Sequence, residues 1–237
     1  MEIKIVIPAS GAGVRLGGDI PKQFLQLGGE PILKRTLSIF SRMKIVSEIA
    51  VAVPEGYAEE VRDYDIPKLT HIVTGEKTRA ESVYAALKCF NADYMHSRQN
   101  KHLEASDYIA LIHDGIRPFV TPEIIEAVAK AAKEHGAAVA CAPVTDTIKQ
   151  VSQGIITSTP NRKTLWQAQT PQGFTYETIL QAYAAAEENG YLSEATDDSA
   201  LAERIGTKVH IVPSSPANIK ITTPTDLLIA RALLENL

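Results

Sequence analysis

The chain has 237 residues, of which 45% are hydrophobic and 22% charged, with a formal net charge of −4. That length suits one large open-sheet domain with a sizeable core, and the mild acidity excludes a general basic field for nucleic acid, so an anionic ligand must be met by local cations. No apolar run approaches the ~20 residues needed to cross a bilayer, and no cationic leader precedes the first strand, so a cytoplasmic protein without membrane or nucleic-acid partners is expected.

Ile3 to Ile7 reads as a short buried strand. The loop after it, Pro8 to Gln23 (PASGAGVRLGGDIPKQ), combines Gly11 and Gly13 with Arg15 and Lys22, as suits a phosphorylated ligand: glycines let backbone N–H groups turn toward an anion and the two side chains add charge. Leu16 stands where the dinucleotide fingerprint needs a glycine, and no Gly-Lys-Ser/Thr follows at Walker spacing, so both of those phosphate loops are excluded. Further on, the pattern predicts a helix over Pro31 to Met43, a strand over Ile49 to Val53, a short helix over Glu55 to Tyr64, a strand at His71 to Val73 and a helix from Arg79 to Phe90. The alternation implies a parallel sheet. Asn91 to Ser106 is polar and without period, and reads as a surface loop.

Tyr108 to Ile112 is the fourth strand, ending in His113-Asp114-Gly115-Ile116-Arg117-Pro118. Thr121 and Pro122 open a helix that Gly136 stops, and Ala137 to Pro143 forms a fifth core strand. Residues 144–170 read as a β-arm leaving the sheet, with strand-like pieces at Thr147 to Val151 and Ile155 to Ser158. Such an arm cannot bury its own apolar side chains, so a second subunit is expected against it. Helices over Tyr176 to Asn189 and Asp197 to Ile205, a strand at Val209 to Val212 and a helix opened by Thr223-Pro224 complete a single domain, 1–237. Cys89 and Cys141 lack metal-site spacing and read as reduced core thiols.

In open α/β sheets the ligand crevice lies at the carboxyl ends of the strands. That rule brings Gly11, Gly13, Arg15 and Lys22 together with Gly75, Glu76 and Arg79, and with Asp114, Gly115 and Arg117. A carboxylate facing bound phosphates suits Mg²⁺ or another divalent cation, which makes Asp114 the candidate metal ligand, although Asp-Gly also makes simple turns. His113 reads as a hydrogen-bonded strand-end residue, and Asp197-Asp198 as a helix cap and dipole partner.

The segments PASGAGVRLGGDIPKQFL, GEKTRAESVYAALK, IHDGIRPFV, APVTDTIK, TPNRKTLWQAQTPQGF, TDDSALAERIG and NIKITTPTDL occur in the same order as the motifs of the 2-C-methyl-D-erythritol 4-phosphate cytidylyltransferases of the non-mevalonate isoprenoid pathway, which the chain resembles over nearly its whole length. The resemblance implies a Rossmann-like, three-layer α/β nucleotidyltransferase fold with a mostly parallel sheet and a protruding arm for homodimerisation. It also implies CTP and a polyol phosphate as substrates. Ala9, Ser10, Gly11 and Gly13 would line the CTP site, and Arg15 and Lys22 would grip its phosphates. Gly75, Glu76, Ser82 and Gly115 would receive cytosine and ribose, and Asp114 would face Mg²⁺ and substrate. Thr147, Arg162, Thr170 and Lys220 would meet the acceptor, the arm residues reaching into the partner's site, with Arg117 beside them. The chain departs from the family pattern at Ser10, usually alanine, at Glu76, usually glycine, at the Gly115-Ile116 pair, and at Ala217, where some members carry an acid. A ribitol 5-phosphate cytidylyltransferase shares several of these blocks, although Asp146 to Lys149 and Leu165-Trp166 favour the isoprenoid enzyme. A nucleotide-binding regulatory module is the alternative of another class, against which the joint presence of Arg15, Lys22, Asp114, Arg162 and Lys220 counts.

Overall fold

The computed structural model of the chain describes residues 1–11, 20–99 and 107–236. In chain order the elements are β1 (Glu2–Pro8), the short pair β2 (Gln26–Leu27) and β3 (Glu30–Pro31), α1 (Ile32–Arg42), β4 (Val46–Val53), α2 (Ala58–Arg62), β5 (Leu69–Thr74), α3 (Arg79–Lys88), α4 (Asn91–Gln99), β6 (Tyr108–Ile112), α5 (Pro122–His135), β7 (Ala137–Pro143), β8 (Gln150–Ser152), β9 (Ile155–Ser158), β10 (Trp166–Thr175), α6 (Tyr176–Glu188), α7 (Asp198–Arg204), β11 (His210–Pro213) and α8 (Pro224–Glu235). Seven strands form one sheet in the order β11-β7-β10-β6-β1-β4-β5. All neighbours run parallel except β10, which is antiparallel to both β6 and β7.

Strand periodicity divides the core into two faces. Ile3, Ile5 and Ile7 of β1 pack with Leu33, Leu37 and Phe40 of α1 and with Val128 and Ala132 of α5, while Val6 faces Val83 and Leu87 of α3 and Tyr176 and Tyr183 of α6. Apolar burial on both faces is what a parallel sheet covered by crossover helices requires, and it gives the three layers.

Two sequence expectations are corrected here. Asn91 to Gln99 is helical, docked by Tyr94, which is buried against Tyr108 and Tyr176; the remainder of the expected loop, 100–106, lies outside the described residues. The arm ends sooner than residue 170: from Trp166 the chain re-enters the main sheet as β10, and Gln169, Thr170 and Gln172 are buried there. Their polarity conceals a core strand from any hydrophobic pattern. The projecting part is the β8–β9 hairpin, on which Val151, Ile155 and Ile156 are each more than half exposed. Gly173 makes room for α5 to cross β10, since a Cβ at that position would lie 2.7 Å from Leu111 and 2.8 Å from Val128.

Candidate active site

β1 ends at Pro8, and the backbone from Ala9 to Gly11 is held from behind by Gln23, whose amide donates to the carbonyls of Ala9 and Gly11. Lys22 sits beside it on a single 3-10 turn, Lys22–Phe24. Gly13 and Arg15 lie outside the described residues. After β5, Gly75 passes so close to Ser10 that a Cβ there would stand 1.9 Å from the serine Cβ. α3 then opens with a full capping box, Thr78 with Glu81. Its first residue is Arg79. A cation at a helix N-terminus is electrostatically misplaced unless something else holds it, and two carboxylates do: Arg79 is bidentate on Asp198, with both N···O distances 2.8 Å, and its Nε reaches Asp114 at 3.3 Å.

Asp114 is the junction of the site. Nε of Arg79 meets Oδ1, while Nε of Arg117 at 3.2 Å and Nζ of Lys220 at 3.0 Å meet Oδ2. Burial alone would push its carboxyl up, but Arg79, Lys220 and Arg117 together hold it well below the usual carboxylate range. The loop bearing it is fastened to β10 by His113 and Thr170. The carbonyl of Arg117 can only accept, so Nε2–H of His113 donates to it and Nδ1 of the neutral ring accepts from the Thr170 hydroxyl, which itself accepts from the Asp114 N–H at 3.1 Å. Burial pushes the imidazole down to about 4, in keeping with this neutral tautomer. Arg117 also donates to the Asn218 carbonyl at 2.7 Å, and the Asn218 amide donates to the carbonyl of Thr170. β10 carries its register shift between Ala168 and Gln172, where these contacts are made, as bulges beside functional sites commonly do.

Two cavities result. The larger, about 630 Å³, is lined by Ala9, Ser10, Gly11, Lys22 and Glu76 among others, a volume in the range of small-molecule sites. The smaller, about 250 Å³, is lined by Arg117, Gln169, Thr170 and Asp197 among others. Arg79, Asp114 and Lys220 line both.

The expected residues therefore divide into groups. Ala9, Ser10, Gly11, Lys22 and Glu76 come together, as do Asp114, Arg117, Thr170 and Lys220. Ser82 is fully buried behind Ser10 and lines neither cavity. Gly115 is a packing glycine, since a Cβ there would come within 3.0 Å of Ala9 and Leu33. Thr147 and Arg162 are exposed on the arm and line neither cavity; the guanidinium of Arg162 donates to its own chain's Thr145 carbonyl. Asp114, the expected metal ligand, meets three cations through its two oxygens, and no group of three His, Cys, Asp or Glu among the described residues could hold an ion by itself. These residues alone therefore form no protein-held metal site, and a divalent cation there would draw most of its shell from substrate phosphates. Asp197 is a cap, accepting from Ala200 N, as expected, whereas Asp198 is the buried partner of Arg79 that sequence reasoning missed. The available signal was an arginine in a helical first turn where an acid belongs.

A mostly parallel sheet whose strand ends carry two adjoining cavities with a common wall of Arg79, Asp114 and Lys220 is an arrangement that suits a nucleotidyltransferase. The sequence profile of the IspD family, 2-C-methyl-D-erythritol 4-phosphate cytidylyltransferase, matches residues 3–236, and the chain belongs to that family. The 2-C-methyl-D-erythritol 4-phosphate cytidylyltransferase of Symbiobacterium thermophilum is 42% identical over 236 residues, which are 99% of this chain and 94% of the relative. The crystal structure of the enzyme of that name from Thermus thermophilus has a TM-score of 0.76 at 32% identity, covering 99% of this chain and 100% of that one. The Francisella tularensis enzyme has a TM-score of 0.81 at 29% identity, covering 98% and 99%. The chain is thus a CTP-dependent cytidylyltransferase.

Proposed function

We propose that the larger cavity holds CTP and the smaller one 2-C-methyl-D-erythritol 4-phosphate, and that the acceptor phosphate attacks the α-phosphorus in line, releasing pyrophosphate and forming 4-diphosphocytidyl-2-C-methyl-D-erythritol. The observation that carries this reading is the common wall of Arg79, Asp114 and Lys220, which sets two anion sites side by side with cations between them. A phosphate monoester is already a nucleophilic anion near neutral pH, so the obstacle is repulsion between two anions, and positioning with fixed positive charge carries the rate. Lys22, with Arg15, grips the triphosphate and the charge that develops on it. Backbone N–H groups of Ser10 and Gly11 supply neutral donors, that of Ala9 being donated to the carbonyl of Ala52. Arg117 and Lys220 aim the acceptor phosphate, and Thr170, which lines the same cavity, anchors the Asp114 loop beside it. Asp114 is the counter-charge that keeps three cations within reach of one point, and no step is assigned to a metal.

The reading takes the chain as one cytoplasmic domain, 1–237, and includes a homodimer. Thr147 and Arg162 cannot serve their own chain's cavities from the arm, and the exposed apolar residues of the β8–β9 hairpin favour a second subunit as the surface that covers them. The test is pyrophosphate release from CTP with 2-C-methyl-D-erythritol 4-phosphate and, separately, ribitol 5-phosphate. Turnover with the first and at least tenfold less with the second is expected. Saturable CTP binding without pyrophosphate release from either would overturn the reading.

A further inference from the structure

Arg117, Gln169, Thr170 and Lys220 line the smaller cavity from three separate stretches of chain, and one buried side chain binds those stretches together. Asn218 is fully buried and lines neither cavity. Its backbone carbonyl accepts from Nη1 of Arg117 at 2.7 Å, and its amide meets Gln169 Oε1 at 3.1 Å and the Thr170 carbonyl at 2.8 Å. Lys220 follows two residues later on the same segment, where the Ile221 N–H donates to the carbonyl of Ile116 at 3.0 Å.

The orientation of the Asn218 amide follows from its neighbours. Nε2 of Gln169 donates to the Ser215 carbonyl at 3.1 Å, so Oε1 is the end that faces Asn218. The Thr170 carbonyl can likewise only accept. Both contacts must therefore be donated through Asn218 Nδ2, which commits its two protons. Oδ1 is left buried and, among the described residues, without a partner. Such an orphaned acceptor is a cost that an apolar side chain of similar size would avoid, so the two donors, and not packing, explain an asparagine at this position.

We propose that Asn218 is a positioning residue for the transfer: its two donated bonds hold the cavity lining at Gln169 and Thr170 in register with Arg117 and Lys220, the cations that aim the incoming phosphate. The proposal rests on the reading of the smaller cavity as the acceptor site, and it gives Asn218 no contact with either substrate. Lys220 also borders the larger cavity. Its bond to Asp114 and the pairing of Ile221 with Ile116 do not use the Asn218 side chain, so nucleotide binding is left in place.

The test uses the full chain carrying Asn218→Ala, which removes both donors, or Asn218→Asp, which keeps the size but sets an oxygen against the Gln169 and Thr170 oxygens. Three quantities are read: KM for 2-C-methyl-D-erythritol 4-phosphate at saturating CTP, Kd for CTP without acceptor, and the melting temperature. Both variants are expected to raise the acceptor KM by about tenfold, the order of worth of two neutral hydrogen bonds, while the CTP Kd stays within about twofold. A merely structural residue would lower the melting temperature and leave both constants where they were. An unchanged acceptor KM in either variant, or a CTP Kd that rises as much as KM, would overturn the proposal. Where one variant folds it decides alone, and failure of both to fold would also overturn the proposal by making Asn218 a folding residue. An unmodified enzyme that binds CTP but transfers to no polyol phosphate would instead remove the acceptor reading, and the proposal with it.

Discussion

Among the described residues the cations assigned to the reaction stand in two neighbourhoods, and the neighbourhood decides what removal of each does. Lys220 and Arg117 are tied to Asp114, whereas Lys22 lines the larger cavity together with Ala9, Ser10 and Gly11. Lys22→Ala is expected to lower kcat by about 100-fold, as loss of a preorganised charge donor does; near-normal turnover would remove Lys22 from the chemistry. His113 leaves a different signature. Its folded pKa of about 4 lies below the ordinary value of 6.5, so the fold favours the neutral ring. As pH falls from 6.5 toward 4 the unfolded chain takes up the proton first, and stability declines through that window. Asp114, held below its ordinary range, keeps its contribution until the medium is more acid still. Melting curves of the unmodified protein should shift downward between pH 6.5 and 4, and His113→Gln, which keeps a donor and an acceptor but no titrating proton, should give a flatter profile; equal slopes would assign the effect to another group. At this scale the sequence made Asp114 and Arg117 legible as polar residues after a strand end, and Lys220 only through the family resemblance. It could not show Asp198, whose burial depends on an arginine 119 positions away.

Among the elements, those whose residues repeat with a single period were readable, as with β1, β6, α1 and α5. β10 was not. Its first residues are exposed and its next several are buried polar groups, so neither alternation nor an apolar run marks it as the strand that fills the place between β6 and β7. α4 escaped for a related reason: a polar helix carries little periodicity and is held largely by one tyrosine, Tyr94. The position of β10 makes Gly173 critical. Gly173→Ala forces Leu111 or Val128 to yield, and overpacking of that kind costs about 1–3 kcal/mol. For a chain of this size the melting temperature should drop by roughly 2–10 °C, with KM for both substrates little changed. An unchanged melting temperature would mean that α5 can move off the sheet freely.

For the whole molecule, the open question in the sequence was how residues of a projecting arm reach a site at strand ends, and the fold supplies the constraint: within one chain they do not. In the proposed dimer, Lys22→Ala and Arg162→Ala would damage different halves of composite sites. Refolding the two inactive variants together should restore a fraction of the activity, because some mixed dimers contain one site with both residues intact. Mixed dimers confirmed by mass and still inactive would show that Arg162 serves no partner's cavity.

The wall of Arg79, Asp114 and Lys220 makes the two substrates thermodynamically interdependent. Whichever anion arrives first draws on the positive charge that the second will need, so part of the binding free energy of each is a function of the other's presence. That coupling is reciprocal: by whatever factor bound nucleotide alters the affinity for the polyol phosphate, the polyol phosphate alters the affinity for nucleotide by the same factor. A change in the wall shifts both affinities at once, while a change at the far end of either cavity is felt by one substrate alone.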